Sequence, residues 1–429
     1  MTLRPTLTRV NATAMVAGTI VGASIFVQPS EIARHLDTPG QIMLVWLACG
    51  ALTLFGAFAC AELASAFPQT GGLYIFLRDT FSPLAGFLWG WAMFWTMHSG
   101  IVAAIATVFA RYASYFVDTG GAGTRAIAVG AIVVLSALNY VGVKAGSRVQ
   151  TLLTGAKLGA IAVLVVAGLV LSERTPQVES AAAGTADPSN FLLAMVAGLF
   201  AYGGWHMVTY TAGETVLPAR TIPAALMAGV AVVTACYIAM NVLYLRVLPL
   251  EAVRSSTRIA ADTADVLFGR GGSALMAILV MVSSFGALTG IVLTGPRVYY
   301  SMAQDGLAVR WLGHVHPKYH TPSNAIVAQG VWSSVLAATG AYQTLFTRVI
   351  YTEWLFFALM AAGLFVLRRR PGYAPPFRTW GYPVVPAIFI AASLAIVANQ
   401  IYRQPAEAAA GLALVAIGAP VYYLLHARR

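Results

Sequence analysis

Apolar stretches long enough to cross a bilayer recur from one end of this 429-residue chain to the other. A hydrocarbon core takes about 20 apolar residues per helix, and read between polar and Pro/Gly breaks the stretches form about twelve such spans. They lie near residues 12–36, 41–66, 83–115, 124–143, 149–171, 189–216, 222–248, 271–303, 323–341, 346–368, 381–401 and 406–426. Only 10% of the residues are charged and 59% are hydrophobic, whereas soluble domains carry about 25% charged residues. The fold class predicted is an all-α polytopic membrane protein, a single transmembrane domain over 1–429 with no soluble domain left over.

Residues 1–11 are polar and basic and lead straight into a full span, which predicts a retained first helix rather than a cleaved signal. The three cysteines, Cys49, Cys60 and Cys236, lie in apolar runs without metal-ligand spacing and read as packing residues, so no metal site, disulfide or cofactor is expected. The net charge of +11 comes from basic residues scattered between spans, with no basic run of the kind that binds nucleic acid. The positive-inside rule accounts for it. One side would hold Arg4, Arg9, Arg78, Lys144, Arg148, Arg220, Arg310, Lys318, Arg368 to Arg370, Arg378, Arg428 and Arg429. On the other, Arg125, Arg174, Arg254, Arg258, Arg270 and Arg403 are offset by acids that include Asp37, Asp118, Glu173, Glu179 and Glu251. Both termini are therefore expected on the cytoplasmic face. The connection from Val247 to Gly272 fits either a short amphipathic helix over the transport path or a surface loop.

Two spans carry small residues where a helix is weakened. In "GTIVGASIF" the midpoint is Gly22, Ala23 and Ser24, and in "GLFAYGGW" it is Gly203 and Gly204. Glycine costs about 1 kcal/mol against alanine inside a helix. One such stretch favours close helix packing, since Gly18 and Gly22 have GxxxG spacing. Breaks in spans one and six, corresponding positions of two five-span repeats, point instead to a transporter site at the membrane midplane. Unwinding frees backbone amides, which with the positive end of the following half-helix suit a carboxylate, and carbonyls, which suit an ammonium. Those are the two ends of an amino acid.

These motifs, with "CAELASAFPQTGGLYIFL", "GETVLPARTIPAAL", "GPRVYYSMAQDGL" and "PFRTWGYPVVP", resemble the amino acid/polyamine/organocation superfamily. They are most similar to its L-type amino acid transporter branch, which includes bacterial serine/threonine and alanine/serine/cysteine exchangers. The resemblance implies a five-plus-five inverted-repeat core, with repeats over 12–171 and 189–368, discontinuous helices one and six, and two extra helices within 381–426. It implies that amides around Gly22, Ala23 and Ser24 take the substrate carboxylate. Carbonyls of Ile20, Phe200, Ala201 and Gly203 would take the amino group, with Phe200 and Trp205 walling the pocket and His206 beside it. The chain departs from the usual Gly-Ser-Gly of the first break, having Gly-Ala-Ser instead.

Lys157 lies well inside the fifth span. An intramembrane cation costs at least ~2.5 kcal/mol and marks function by default. By the resemblance it stands where sodium-coupled relatives bind an ion, so its ammonium is expected on carbonyls of the first break. Snorkelling to the Arg148 end is the alternative, and a proton-coupling role stays open. Glu62 and Glu214 are gate candidates that would pair with Arg78, Arg220 or Arg297, or else sit solvated at helix ends. His98 reads as a packed residue, and His314, His316 and His320 as loop residues rather than metal ligands.

No paired catalytic carboxylates, Ser-His pair or HExxH helix supports an enzyme, and no filter repeat supports a channel. The expected function is sodium-independent exchange of neutral L-amino acids, with proton symport as the alternative. Neutral substrates are expected because no intramembrane carboxylate or arginine is evident near the breaks. The outer loop between spans three and four lacks the cysteine through which eukaryotic members of this branch join a heavy-chain glycoprotein, so no such partner is expected. A bacterial inner membrane is the expected location.

Overall fold

The computed structural model describes residues 3–117, 119–171, 187–340 and 342–426. Asp118, Glu173, Arg174, Glu179, Arg428 and Arg429, used above for orientation, lie outside the described residues. Among the described residues the chain is helical throughout and has no named strand, its one bridge pairing Leu7 with Thr215. Among the described residues, ten helices are long and apolar enough to cross a membrane. Ser323–Thr339, with 17 residues, and Tyr342–Leu367 occupy the ninth and tenth places. The sequence-derived spans fall on these twelve elements.

Helix starts follow from local chemistry. Thr8 and Asn11 form a capping box before Arg9–Ile20, and Thr38 and Gln41 form another before Pro39–Ala66. Proline opens the helices after Ser82 and Asp187, where its missing amide costs nothing. The fifth span, Val143–Leu171, is turned inside out relative to a soluble helix. Gln150, Thr154, Lys157, Ile161, Leu164 and Gly168 share one buried face at helical spacing, while Leu152, Val163, Val166 and Val170 are exposed. In a bilayer that exposed face meets lipid.

The buried centre is built from the first span and the eighth, Gly272–Gln304. The fifth and seventh spans, the latter Pro218–Val247, pack against the first. The connection after the seventh span forms two short helices, Leu250–Ser255 and Ile259–Phe268, so the helical reading holds over the loop reading. Arg254 on the first of them donates to the carbonyls of Ala33 (3.2 Å) and Leu36 (2.7 Å), which fastens it to the segment following the first break.

Candidate functional site

The first span is interrupted where the small residues stand. Its α-helix ends at Ile20, one 3-10 turn covers Ser24–Phe26, and a second helix runs over Gln28–Arg34. Gly22 N donates back to the Ile20 carbonyl at 2.8 Å. No backbone hydrogen bond among the described residues starts at the amides of Ala23 or Ser24. The sixth span breaks in the same way: an α-helix over Pro188–Ala201 gives way to a 3-10 stretch over Trp205–Glu214. Gly204 between them has φ +96°, a conformation that side chains resist. The two breaks touch, since the Thr19 hydroxyl lies 3.3 Å from the Gly204 carbonyl.

Both breaks open on one cavity of about 390 Å³, within the ~300–1,000 Å³ usual for small-molecule sites. Of the residues that the resemblance assigns to the substrate, Ile20, Gly22, Ser24, Phe200, Gly203 and Trp205 line it; Ala23, Ala201 and His206 do not. His206 is 1% exposed and sits behind the wall, its ring 4.8 Å from Phe357 and 5.4 Å from Trp205. The cavity reaches Gln28, Glu31, His35, Gln400 and Gln404, on the face opposite the termini.

On the terminal side the path is shut. The amides of Thr6 and Leu7 donate to the Glu214 carbonyl at 2.8 Å, and Val216 N donates to the Leu7 carbonyl at 2.9 Å. Arg297 Nε donates to Glu214 Oε2 at 2.8 Å, with both side chains buried, and Arg297 also reaches Asn139 Oδ1 at 3.1 Å. Arg368 grips Glu62 with two nitrogens, Nε at 2.9 Å and Nη2 at 2.6 Å, and Thr379 N adds a third donor at 2.7 Å. Arg78 pairs with Asp79 and Asp305. The partner expected for Glu62 is thus corrected from Arg78, Arg220 or Arg297 to Arg368, and the solvated reading of Glu62 and Glu214 is corrected too, since both are buried.

Lys157 is fully buried, with 0% exposure, so snorkelling is excluded. Its Nζ donates to the carbonyl of Gly18 at 2.7 Å and to that of Val21. The Ser283 hydroxyl lies 3.2 Å from the carbonyls of Val21 and Gly22. Tyr237 completes the ring, its hydroxyl 2.9 Å from both the Ile20 and the Ala201 carbonyls. Buried carbonyls released by unwinding are costly unless bonded. Here a lysine and two hydroxyls satisfy them from behind, leaving the front of the breaks to the cavity.

Comparison with known proteins decides the family. Residues 7–422 match the family model described as amino acid permease. The chain belongs to the amino acid permease family. It is 30% identical to the serine/threonine exchanger SteT of Bacillus subtilis, over 97% of this chain and 96% of that protein. It is 29% identical to the human cystine/glutamate transporter, over 98% of this chain and 85% of that one. The human large neutral amino acids transporter small subunit 2 is 29% identical, over 97% and 79%. Relatives of this permease are named as transporters rather than enzymes.

Other permease residues fall where packing takes them. His98 Nε2 is 2.9 Å from the Ile291 carbonyl, a bonded core histidine, and follows a π-helical turn over Met93–Met97. His314 is bonded to Ser323 and His316 accepts from the amides of Lys318 and Tyr319, and among the described residues no group of ligands suits a metal.

Four contributors had been missed. Tyr237 and Ser283 are hydroxyls in apolar spans, and nothing in a single sequence says which face they take. Arg368 lies 306 positions from its partner. Glu353 lines the cavity from the tenth span, so the premise that no carboxylate stands near the breaks is corrected. Its signal was available: a carboxylate in "YTEWLFF", inside an apolar run, is a functional candidate by default.

Proposed function

We propose that this permease is a sodium-independent amino acid exchanger working by alternating access, built from repeats over 12–171 and 189–368. Both termini would be cytoplasmic, in a bacterial inner membrane, with the chain acting without a heavy-chain partner. One observation carries the reading: two interrupted helices face a single cavity, with the unbonded amide of Ser24 in its lining and that of Ala23 next to it in the chain. Those amides suit the substrate carboxylate. The Gly203 carbonyl, which accepts no hydrogen bond among the described residues, suits the ammonium. Of the other carbonyls, that of Ala201 accepts one bond, from Tyr237, and keeps a second lone pair for the substrate, whereas that of Ile20 already accepts two, from Gly22 N and Tyr237, and that of Phe200 accepts from Gly203 N.

Sodium independence rests on Lys157, whose ammonium stands against two carbonyls of the first break. A fixed cation does there what a bound metal ion does, namely offset the carbonyl dipoles. Exchange rather than net uptake follows the serine/threonine exchanger among the relatives. The relatives' names cover serine and threonine, cystine and glutamate, and large neutral amino acids, so membership leaves the side-chain class to the pocket.

Proteoliposomes test this reading. Radiolabelled amino acid uptake should require unlabelled amino acid inside, and should ignore both sodium and an inward proton gradient. Uptake into empty vesicles driven by the gradient would instead establish proton symport.

A further inference from the structure

The charges on the cavity wall are one-sided. Its lining includes two carboxylates, Glu31 and Glu353, and one histidine, His35, but neither lysine nor arginine. Glu31 belongs to the mouth, where Arg34 pairs with it at 2.6 Å. Glu353 belongs to the depth, 8% exposed. Among the described residues no lysine or arginine comes within 4.0 Å of it; its ionisable neighbours are His206, with Nε2 3.7 Å from Oε1, and the Tyr210 phenol, which bears no positive charge. That separation is too long for a hydrogen bond, and neither ring nitrogen of His206 has another partner.

A carboxylate withdrawn from water without a close donor is unfavourable unless a cation or a proton joins it. The surroundings are those of a cation receptor. Trp205, Trp354 and Phe357 line the same cavity, with the Phe357 ring 5.2 Å from Trp205 and 5.6 Å from Trp354. Aromatic faces beside a carboxylate attract ammonium and guanidinium groups through the ring quadrupole. A cleft lined by one sign of charge also concentrates ligands of the other.

We propose that Glu353 is the specificity residue of the cavity and selects amino acids whose side chain bears a positive charge, an amine or a guanidinium. The assignment rests on the amino acid transport reading above and adds the substrate class to it. The zwitterionic end stays at the broken helices, and the side-chain cation meets Glu353 between the aromatic faces.

The experiment compares ligands that differ only in that charge: ornithine against norvaline, and lysine against norleucine, binding to the full-length protein in nanodiscs. A charge-assisted contact of this kind gives about tenfold or greater preference for the dibasic member of each pair. Glu353→Gln should reduce that preference about tenfold, and Glu353→Asp should retain part of it. The comparison on the unaltered protein needs no variant, so a misfolded Glu353→Gln does not spare the proposal. Equal or tighter binding of norvaline and norleucine overturns it and leaves amino acid transport standing. So does proton-driven norvaline uptake that Glu353→Gln abolishes, which makes Glu353 a proton carrier. If no amino acid of either class binds, both readings fall together.

Discussion

Lys157 Nζ meets the Gly18 carbonyl at 2.7 Å on the side of the first break turned away from the cavity. The ammonium is therefore part of the frame that holds the break open, and does not touch the space a substrate would fill.

Replacing that lysine strands the Gly18 carbonyl, at about 1–3 kcal/mol for a buried group short of a donor, and leaves the Val21 carbonyl only the Ser283 hydroxyl that it shares with Gly22. Lys157→Ala is expected to insert and to slow exchange in proteoliposomes by about tenfold or more. An unchanged rate returns the lysine to a packing role.

The two glycines of "GTIVG" separate two properties. A Cβ at Gly18 would lie 2.2 Å from Gln150 Nε2 and from Thr154 Oγ1, whereas one at Gly22 meets Ala287 Cβ at 3.4 Å. Gly18 serves helix packing against the fifth span and Gly22 lines the cavity. Gly18→Leu should lower the yield of folded protein, while Gly22→Leu should stay folded and lose substrate binding. Size-exclusion profiles and ligand binding, measured side by side, check the split; normal binding by Gly22→Leu defeats it.

Ion pairs on the two faces differ in weight. Glu214 and Arg297 are both buried, and removing one partner of such a pair costs about 3–5 kcal/mol. Glu31 and Arg34 are about half exposed, and such pairs contribute about 0–1 kcal/mol. Glu214→Gln should lower the unfolding temperature in detergent markedly and Glu31→Gln hardly at all. Equal shifts would show that the inner network carries no special load.

Tyr237→Phe removes the donor shared by Ile20 and Ala201 and should cost about 1–3 kcal/mol of stability. Thermal unfolding with and without substrate reads it. A substrate-dependent recovery is expected, because an ammonium supplies donors to the same carbonyls.

Much of this was legible in the sequence for a physical reason. A span that must be apolar throughout makes every departure conspicuous, so Gly22, Gly203, Gly204 and Lys157 announced themselves. The same rule applies to Glu353, which lies inside the apolar run 346–368, where the expectation of no carboxylate near the breaks passes over it. What the sequence could not supply was pairing. Glu62 had three basic residues proposed for it and took Arg368, because the choice depends on how the segment after the tenth span folds back to put Thr379 N on the same carboxylate. The expectation that His206 faces the substrate failed by about one side-chain layer. A break alters the rotation of the residues that follow it, and here the ring turned into the Trp205, Tyr210 and Phe357 cluster.

The hydroxyl of Tyr237 couples two pieces of backbone that lie 181 residues apart, Ile20 and Ala201, to one rigid rod, the seventh span. The two hinges thus share an axle. Any motion that carries the cavity from one membrane face to the other either swings that rod along with both hinges or parts a bond at 2.9 Å, so the seventh span is the place to look for the stroke of the machine.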